Sequence, residues 1–349
     1  MLDDDNVLRQ RDPSDALSVA AAQFEQARFS AEVGNPEHDG RAITKIVIAG
    51  MGGSALAGLM LKAWLEAELT VPIEVIREYD LPAYVDTNTL VIASSYSGNT
   101  EETVSCFAQA RERDAQVAVV AAGGELQRLA NEYSVAHVAL PNGVQPRMTV
   151  LFGLRALTAL LGHFGVIGFD KYDEIKALAD WLGQEALQFV PGVRTDKNLA
   201  KQLALLSVGK TPVFYAGNLM APVAYKWKIS WNENAKNVAF WNQYPEFNHN
   251  EFMGWASHPV EKPFAVFDLK SRFEHPRILK RFEISDRLLS GKRPKAIEVP
   301  MKGDSVLAHM LWGNVLADFT SIYVAILNGV DPTPVSLIEK LKGELKTAD

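Results

Sequence analysis

The residues best suited to chemistry stand in one stretch, Ser94-Ser95-Tyr96-Ser97-Gly98-Asn99-Thr100-Glu101-Glu102-Thr103. Ser95, Ser97 and Thr100 offer hydroxyls, and Gly98 permits a tight turn. The apolar run Thr89-Leu90-Val91-Ile92-Ala93 before it reads as a buried parallel strand. Val104 to Ala110 after it continues as an amphipathic helix. The hydroxyls thus sit at a strand-to-helix junction, where the free N–H groups of a first helical turn face an incoming anion. The loop holds no lysine, so it is not a Walker-type nucleotide loop. Neutral hydroxyls and backbone amides suit a sugar monophosphate better than a triphosphate. The same residue types are also ordinary loop and N-cap composition, so this loop alone leaves both readings open.

A second junction of the same kind lies upstream. Thr44 to Ala49 reads as a strand, Gly50-Met51-Gly52-Gly53-Ser54 as a tight turn, and Ala55 to Leu65 as a helix. In a doubly wound sheet both turns open on the carboxyl edge of the strands, where ligands bind. Gly50-x-Gly52-x-x-Ala55 also fits a loose dinucleotide fingerprint, with Glu74 or Glu78 near the next strand, so a nicotinamide enzyme is a rival on this segment. Against it, the turn places a hydroxyl at the helix start, and the Ser95–Thr100 loop has no part in dinucleotide binding. The pair of loops resembles the sugar isomerase (SIS) domain, which has this G-x-G-G-S turn.

Composition sets outer bounds. The chain has 349 residues, which favours two domains, and its hydrophobic content of 48% is ample for buried cores. Its 35 basic and 42 acidic residues give a net charge of −7 without a basic block, which argues against nucleic acid. One cysteine, Cys106, excludes an internal disulfide or a cysteine-based zinc cluster and fits a reducing cytoplasm. The acidic first residues carry no signal-peptide pattern. The run from Val150 to Phe169 is broken by Arg155, His163 and glycines, and reads as a core helix rather than a membrane span.

Strand and helix alternate through the first half, which predicts a parallel sheet with flanking helices. Residues 14 to 32 read as one amphipathic helix capped by Ser14. Arg147 follows a stiff Pro141-to-Pro146 approach; a loop arginine is ordinarily solvated. Val190-Pro191-Gly192 marks a boundary, giving domains of residues 1–192 and 193–349. Pro212 to Asn218, a strand running into a glycine turn, weakly echoes the first unit and suggests a duplication. The fold expected is therefore α/β: two SIS-type doubly wound, flavodoxin-like parallel-sheet subdomains, with the phosphate loops on the first.

The helix of the second unit ends in Asn232-Glu233-Asn234-Ala235-Lys236, and Asn248-His249-Asn250-Glu251 follows. Such polar clusters are commonly solvated or capping, and a lone loop histidine is commonly at the surface. Here, however, Trp231, Phe240, Trp241, Tyr244 and Phe247 surround them, a mixture that can desolvate a carboxylate and raise its basicity. Glu233 and His249 lie too far apart for a helical metal pair, and no histidine spacing suits zinc, so no metal is expected.

Asn-Glu-Asn-Ala-Lys followed by Asn-His-Asn-Glu, with the Ser-Tyr-Ser-Gly-Asn-Thr-Glu-Glu-Thr loop, resembles the bifunctional phosphoglucose/phosphomannose isomerase family from about Lys45 to Leu345. The resemblance implies a metal-free aldose–ketose isomerase of hexose 6-phosphates that needs no cofactor. Glu233 would carry the proton between C1 and C2, and Arg147 would steady the enediolate. His249, reaching in from a neighbouring subunit of a homodimer, would assist ring opening. Gly52, Gly53, Ser54, Ser95, Ser97 and Thr100 would hold the phosphate. The closing Asp331-Pro332-Thr333-Pro334-Val335 also matches the family, with Thr333 as substrate contact or helix N-cap. Of the lysines Lys340, Lys342 and Lys346 that follow, Lys342 matches the ring-opening lysine. Trp227, Trp231 and Trp241 are candidates to reshape the sugar pocket. A sugar-phosphate-binding SIS regulator without chemistry is the alternative reading; neither requires a nucleic acid or a membrane.

Overall fold

The apolar runs become strands in two sheets. β1 (Val33–Gly34), β2 (Lys45–Ala49), β3 (Ile73–Ile76), β4 (Thr89–Ser95), β5 (Gln116–Ala121) and β6 (Ala136–Ala139) form the first, in the order β1-β6-β5-β4-β2-β3. The pairs from β2 to β6 are parallel, and β1 adds an antiparallel edge on β6. Every residue of β4 is buried, as required of a strand covered by helices on both faces. β7 (Thr211–Ala216), β8 (Phe240–Gln243), β9 (Phe264–Lys270) and β10 (Ile297–Pro300) form the second sheet, all parallel, in the order β10-β9-β7-β8. This computed structural model describes residues 1–257, 263–345 and 347; Lys346 lies outside the described residues.

In both sheets the first parallel strand (β2, β7) lies between the second (β3, β8) and the third (β4, β9). The second sheet repeats the strand order of the first, one parallel strand shorter, and the order is that of flavodoxin-like doubly wound sheets. The reversal of direction falls between β2 and β4 in the first sheet. The turns Gly50–Ser54 and Ser95–Thr100 leave those two strands and are therefore neighbours at the switch point.

Two local expectations change. β4 runs on through Ser94 and Ser95, so Ser95 ends a strand instead of opening a loop. The N-terminal segment is not one helix but Asp5–Arg11, Ala16–Ala21 and Gln23–Gln26. Ser14 is not its cap: the Asp12 carboxylate accepts from the N–H groups of Ala16 and Leu17 at 2.8 and 2.9 Å. An ionised carboxylate is a stronger acceptor than a hydroxyl and takes both donors.

Helix Val306–Asn328 is long and apolar enough to cross a bilayer, yet it is buried within the protein and packs on helices Ala221–Glu233, Leu199–Ser207 and Ala16–Ala21. One apolar core runs through both halves, from Leu56 and Leu157 to Trp227 and Leu311. The N-terminal segment belongs to this junction. Arg11 donates to the Ile326 carbonyl at 2.6 Å and Gln23 to Asp318 at 2.8 Å, so residues early in the chain pack on its last long helix.

Gly98 fixes the shape of the hydroxyl turn. Its φ is +70°, and a Cβ there would lie 1.8 Å from the Gly123 carbonyl oxygen. A left-handed backbone alone costs a non-glycine residue about 1–2 kcal/mol, and here the clash is with backbone that cannot rotate away. Gly98→Ala is therefore expected to lower the urea midpoint and to weaken inorganic phosphate binding together; unchanged phosphate affinity would mean that the turn does not hold the anion.

Candidate active site

The hydroxyl turn is built on hydrogen bonds among its own side chains. Ser95 Oγ lies 2.7 Å from Thr100 Oγ1 and 3.5 Å from Ser97 Oγ, and accepts from the Gly98 N–H at 3.2 Å. Because Thr100 is engaged with Ser95, it does not cap the helix Glu101–Glu112 that it precedes. The helix Gly52–Leu65 likewise starts without a side-chain cap. Uncapped first turns leave N–H groups for an anion, and both turns open on the same edge. Ser54 Oγ accepts from the Tyr96 N–H at 3.1 Å and ties the two turns together. Tyr96 Oη in turn donates to the Pro141 carbonyl at 2.8 Å and accepts from the Val144 N–H at 3.2 Å, fixing the segment that leads to Arg147.

Arg147 is the hub. It is 1% exposed, so the ordinary expectation of a solvated loop arginine fails. Gly53 explains its approach: a Cβ on Gly53 would fall 2.4 Å from the Pro146 carbonyl oxygen and 3.2 Å from Arg147 Cα. From there the guanidinium reaches the second unit. Nε donates to Asn234 Oδ1 at 2.5 Å, and Nη1 to Glu233 Oε2 and Gln145 Oε1, each at 3.2 Å. Nη2 donates to the carbonyls of Pro332 and Thr333, both at 2.9 Å. Burial draws the guanidinium pKa down, while Glu233 and Asp318 oppose that shift. The planar fork serves three chain segments at once, which a lysine cannot do.

Glu233 ends helix Ala221–Glu233 with its side chain one-quarter exposed. It opens on a cleft of about 480 Å³ walled by Asn232, Lys236, Asn237, Val335 and Leu337. A carboxylate with one face on a buried arginine and the other toward a cleft can accept and return a proton from a bound molecule. Gly53, Ser54, Ser95, Ser97, Thr100, Arg147, Glu233 and Thr333 thus form one connected set, with Gly52 in the same helical turn.

Thr333 does not cap the last helix, which spans Ser336–Leu345. Its N–H is taken by Asp331 Oδ1 at 2.9 Å and its carbonyl by Arg147, so the chain is held irregular there and helix formation waits until Ser336. His249 follows the short turn Glu246–Asn248 and is exposed, outside the contacts that join Arg147 and Glu233. Lys342 and Lys340 are exposed on the last helix, Lys340 lying 3.7 Å from Glu344. The tryptophans separate: Trp227 and Trp231 are fully buried, stacked at 5.4 Å, with Trp227 Nε1 donating to the Gly313 carbonyl at 3.0 Å. They are core residues and not walls of a sugar pocket; Trp241 is half-buried against Tyr225. Among the described residues, no group of three or more His, Cys, Asp or Glu is placed to hold a metal ion.

Comparison with known proteins fits this geometry. Residues 41–145 match the SIS domain family, and residues 196–345 match the bacterial phospho-glucose isomerase C-terminal SIS domain. A bifunctional phosphoglucose/phosphomannose isomerase of Caldicellulosiruptor bescii is 36% identical over 305 residues, covering 87% of this chain and 90% of the relative. The chain belongs to the bifunctional phosphoglucose/phosphomannose isomerase family. The family member from Aquifex aeolicus is also 36% identical, over 302 residues, covering 86% of this chain and 90% of that one. A solved glucose-6-phosphate isomerase like protein from Thermus thermophilus shares the fold, with a TM-score of 0.65 at 18% identity over 97% of this chain and 98% of that one.

Behind this candidate site of a phosphoglucose/phosphomannose isomerase family member lies a buried polar layer that the sequence motifs do not show. Lys226 and Asp318 are both fully buried and pair at 2.7 Å; Lys226 Nζ also donates to the Arg147 carbonyl at 2.6 Å. Asp318 further accepts from Ser230 Oγ and Gln23 Nε2, each at 2.8 Å. Asn234, which receives Arg147, donates to Ser321 Oγ at 2.8 Å. Burial pulls the Lys226 pKa down, against the neighbouring Asp318. The available signal was a lone acidic residue, Asp318, inside an otherwise apolar helix. Lys226→Met would strand Asp318 as a buried charge, which typically costs about 3–5 kcal/mol. A fall of that order in unfolding free energy from urea titration is expected; a change below about 1 kcal/mol, the scale of a surface ion pair, would show that the pair is not structural.

Proposed function

We propose that this protein interconverts glucose 6-phosphate and mannose 6-phosphate with fructose 6-phosphate, without a metal, through an enediolate. The observation that carries the reading is the unbroken contact path from Ser54 and Tyr96 through Gly53 and Arg147 to Glu233. It joins an anion-binding turn to a cleft-facing carboxylate. The phosphate rests on Ser54, Ser95, Ser97, Thr100 and the N–H groups of Gly52 and Gly53. With the ring open, Glu233 takes the C2 proton of the aldose and returns it to C1, while the Arg147 guanidinium offsets the charge that develops on the enediolate oxygens. Both epimers require C2 of either hand to face Glu233, which a rotation about C2–C3 in the open chain provides. Arg147 holds Thr333 at the rim as a substrate contact.

Ring opening is assigned to His249 and Lys342 on the family pattern. His249 is exposed and outside its own chain's Glu233 cluster, which favours delivery to the site of a second copy, and hence a homodimer with shared sites. Residence in a reducing cytoplasm goes with a single cysteine, Cys106, that is free and buried.

The test is a time course of fructose 6-phosphate in heavy water with a chelator present, followed by NMR. Glucose 6-phosphate and mannose 6-phosphate carrying deuterium at C2 are the expected products. Binding without product or label would replace the isomerase with a sugar-phosphate sensor.

A further inference from the structure

Lys236 follows Glu233 by three residues and has a left-handed backbone, φ +53°, a conformation uncommon for a residue with a long side chain. The unusual turn brings its ammonium back over the helix it has just left. Nζ donates to the Glu233 carbonyl at 2.6 Å and to the Pro332 carbonyl at 3.1 Å. The first bond places a cation at the carboxyl end of helix Ala221–Glu233, where the exposed carbonyls and the helix dipole favour it. The second meets Arg147, whose Nη2 donates to the same Pro332 oxygen at 2.9 Å. Two cations from different segments thus converge on one carbonyl, with the Glu233 carboxylate beside them, and Lys236 also lines the cleft on which Glu233 opens.

We infer that Lys236 is a positioning residue for the proton transfer: as an ammonium it locks the last turn of the helix and the Pro332–Thr333 segment together, and so fixes the angle at which Glu233 meets the substrate. This inference rests on the isomerase reading of the site. The backbone strain at Lys236 gives it independent support, since a position that costs free energy in the folded state is retained where the surrounding structure demands it.

Three charged groups act on Lys236: Arg147 from the first unit, Glu233 from its own helix, and Asp331 from the C-terminal segment. Partial burial and the Arg147 charge bring its pKa down to about 8, against the pull of Asp331 and Glu233. Below that pH the ammonium is present; above it the bonds lose their charge assistance. The parent enzyme should therefore lose kcat on an alkaline limb near pH 8, with KM for fructose 6-phosphate nearly constant, because the phosphate grip is elsewhere.

The experiment compares kcat and KM across pH for the parent, Lys236→Met and Lys236→Arg. Lys236→Met is expected to lower kcat about 10-fold, the equivalent of one charge-assisted hydrogen bond, and to abolish the limb near pH 8. Lys236→Arg is expected to restore much of kcat and to carry the limb beyond the accessible range. A parent-shaped pH profile in Lys236→Met, or a limb unmoved in Lys236→Arg, overturns the inference even if the protein is an active isomerase. Should Lys236→Met fail to fold, the arginine variant alone decides. A parent without isomerase activity defeats the reading of the site instead.

Discussion

Glu233→Gln is expected to fold and to bind fructose 6-phosphate, but to isomerise it about 10²–10⁴-fold more slowly, the range attributed to a positioned general base. The amide is the same size as the carboxylate and can still accept from Arg147 Nη1. The substitution therefore removes basicity while leaving the contact that holds the side chain. Deuterium uptake at C2 of the product should fall in parallel with turnover, and KM should change little. If turnover stays near the parent level, the proton is carried by another group, and the connected path from Ser54 to Glu233 has a structural meaning only.

Arg147→Lys is expected to be nearly as damaging, although it preserves the charge. The guanidinium serves Asn234, Gln145, Glu233, Pro332 and Thr333. An ammonium has three donors and no fixed fork, so at least two acceptors in this dry region go unmatched, each at about 1–3 kcal/mol. On the proposed role of Arg147 in offsetting the enediolate charge, its replacement should lower kcat by about 10²–10³-fold. The decisive comparison sets kcat against stability measured in urea. A variant that is destabilised yet turns over at the parent rate would make Arg147 a scaffold residue with no part in charge stabilisation.

Much of this architecture was legible in the sequence because the informative residues are local. β2 and β4 are apolar runs ending in glycine and hydroxyl turns, and local rules place both at a carboxyl sheet edge. In the structure Ser54 ties its turn to Tyr96 of the Ser95–Thr100 turn, Gly53 packs on the Pro146–Arg147 backbone, and Arg147 contacts Glu233. What escaped reading depends on distant partners. β8 is short and mostly half-buried, so its sequence lacks the apolar run that marks β4. Trp227 and Trp231 looked like pocket walls because they flank Glu233 in sequence, but the helix turns them toward Phe214 and Phe267. Lys226 looks solvated in isolation and Asp318 names no partner within its helix; only their contact across 92 positions makes burial tolerable. Thr333 carries a strong capping signal that loses to Arg147, because a buried guanidinium claims the carbonyls at that point.

The attachment of the N-terminal segment to the last long helix bears on how the protein is made. Gln23 finds Asp318 across 295 positions and Arg11 finds Ile326 across 315. On the ribosome, strands β2 to β6 can pair well before the second half is made, since their partners all lie within the first sheet, and β1 joins once β6 has emerged. Gln23 and Arg11 must wait with their apolar neighbours uncovered until residues 306–328 are synthesised. The Lys226–Asp318 layer behind Arg147 thus closes only after the Ser95–Thr100 turn has formed, and a nascent chain halted before Val306 would present that turn with Lys226 still unpaired.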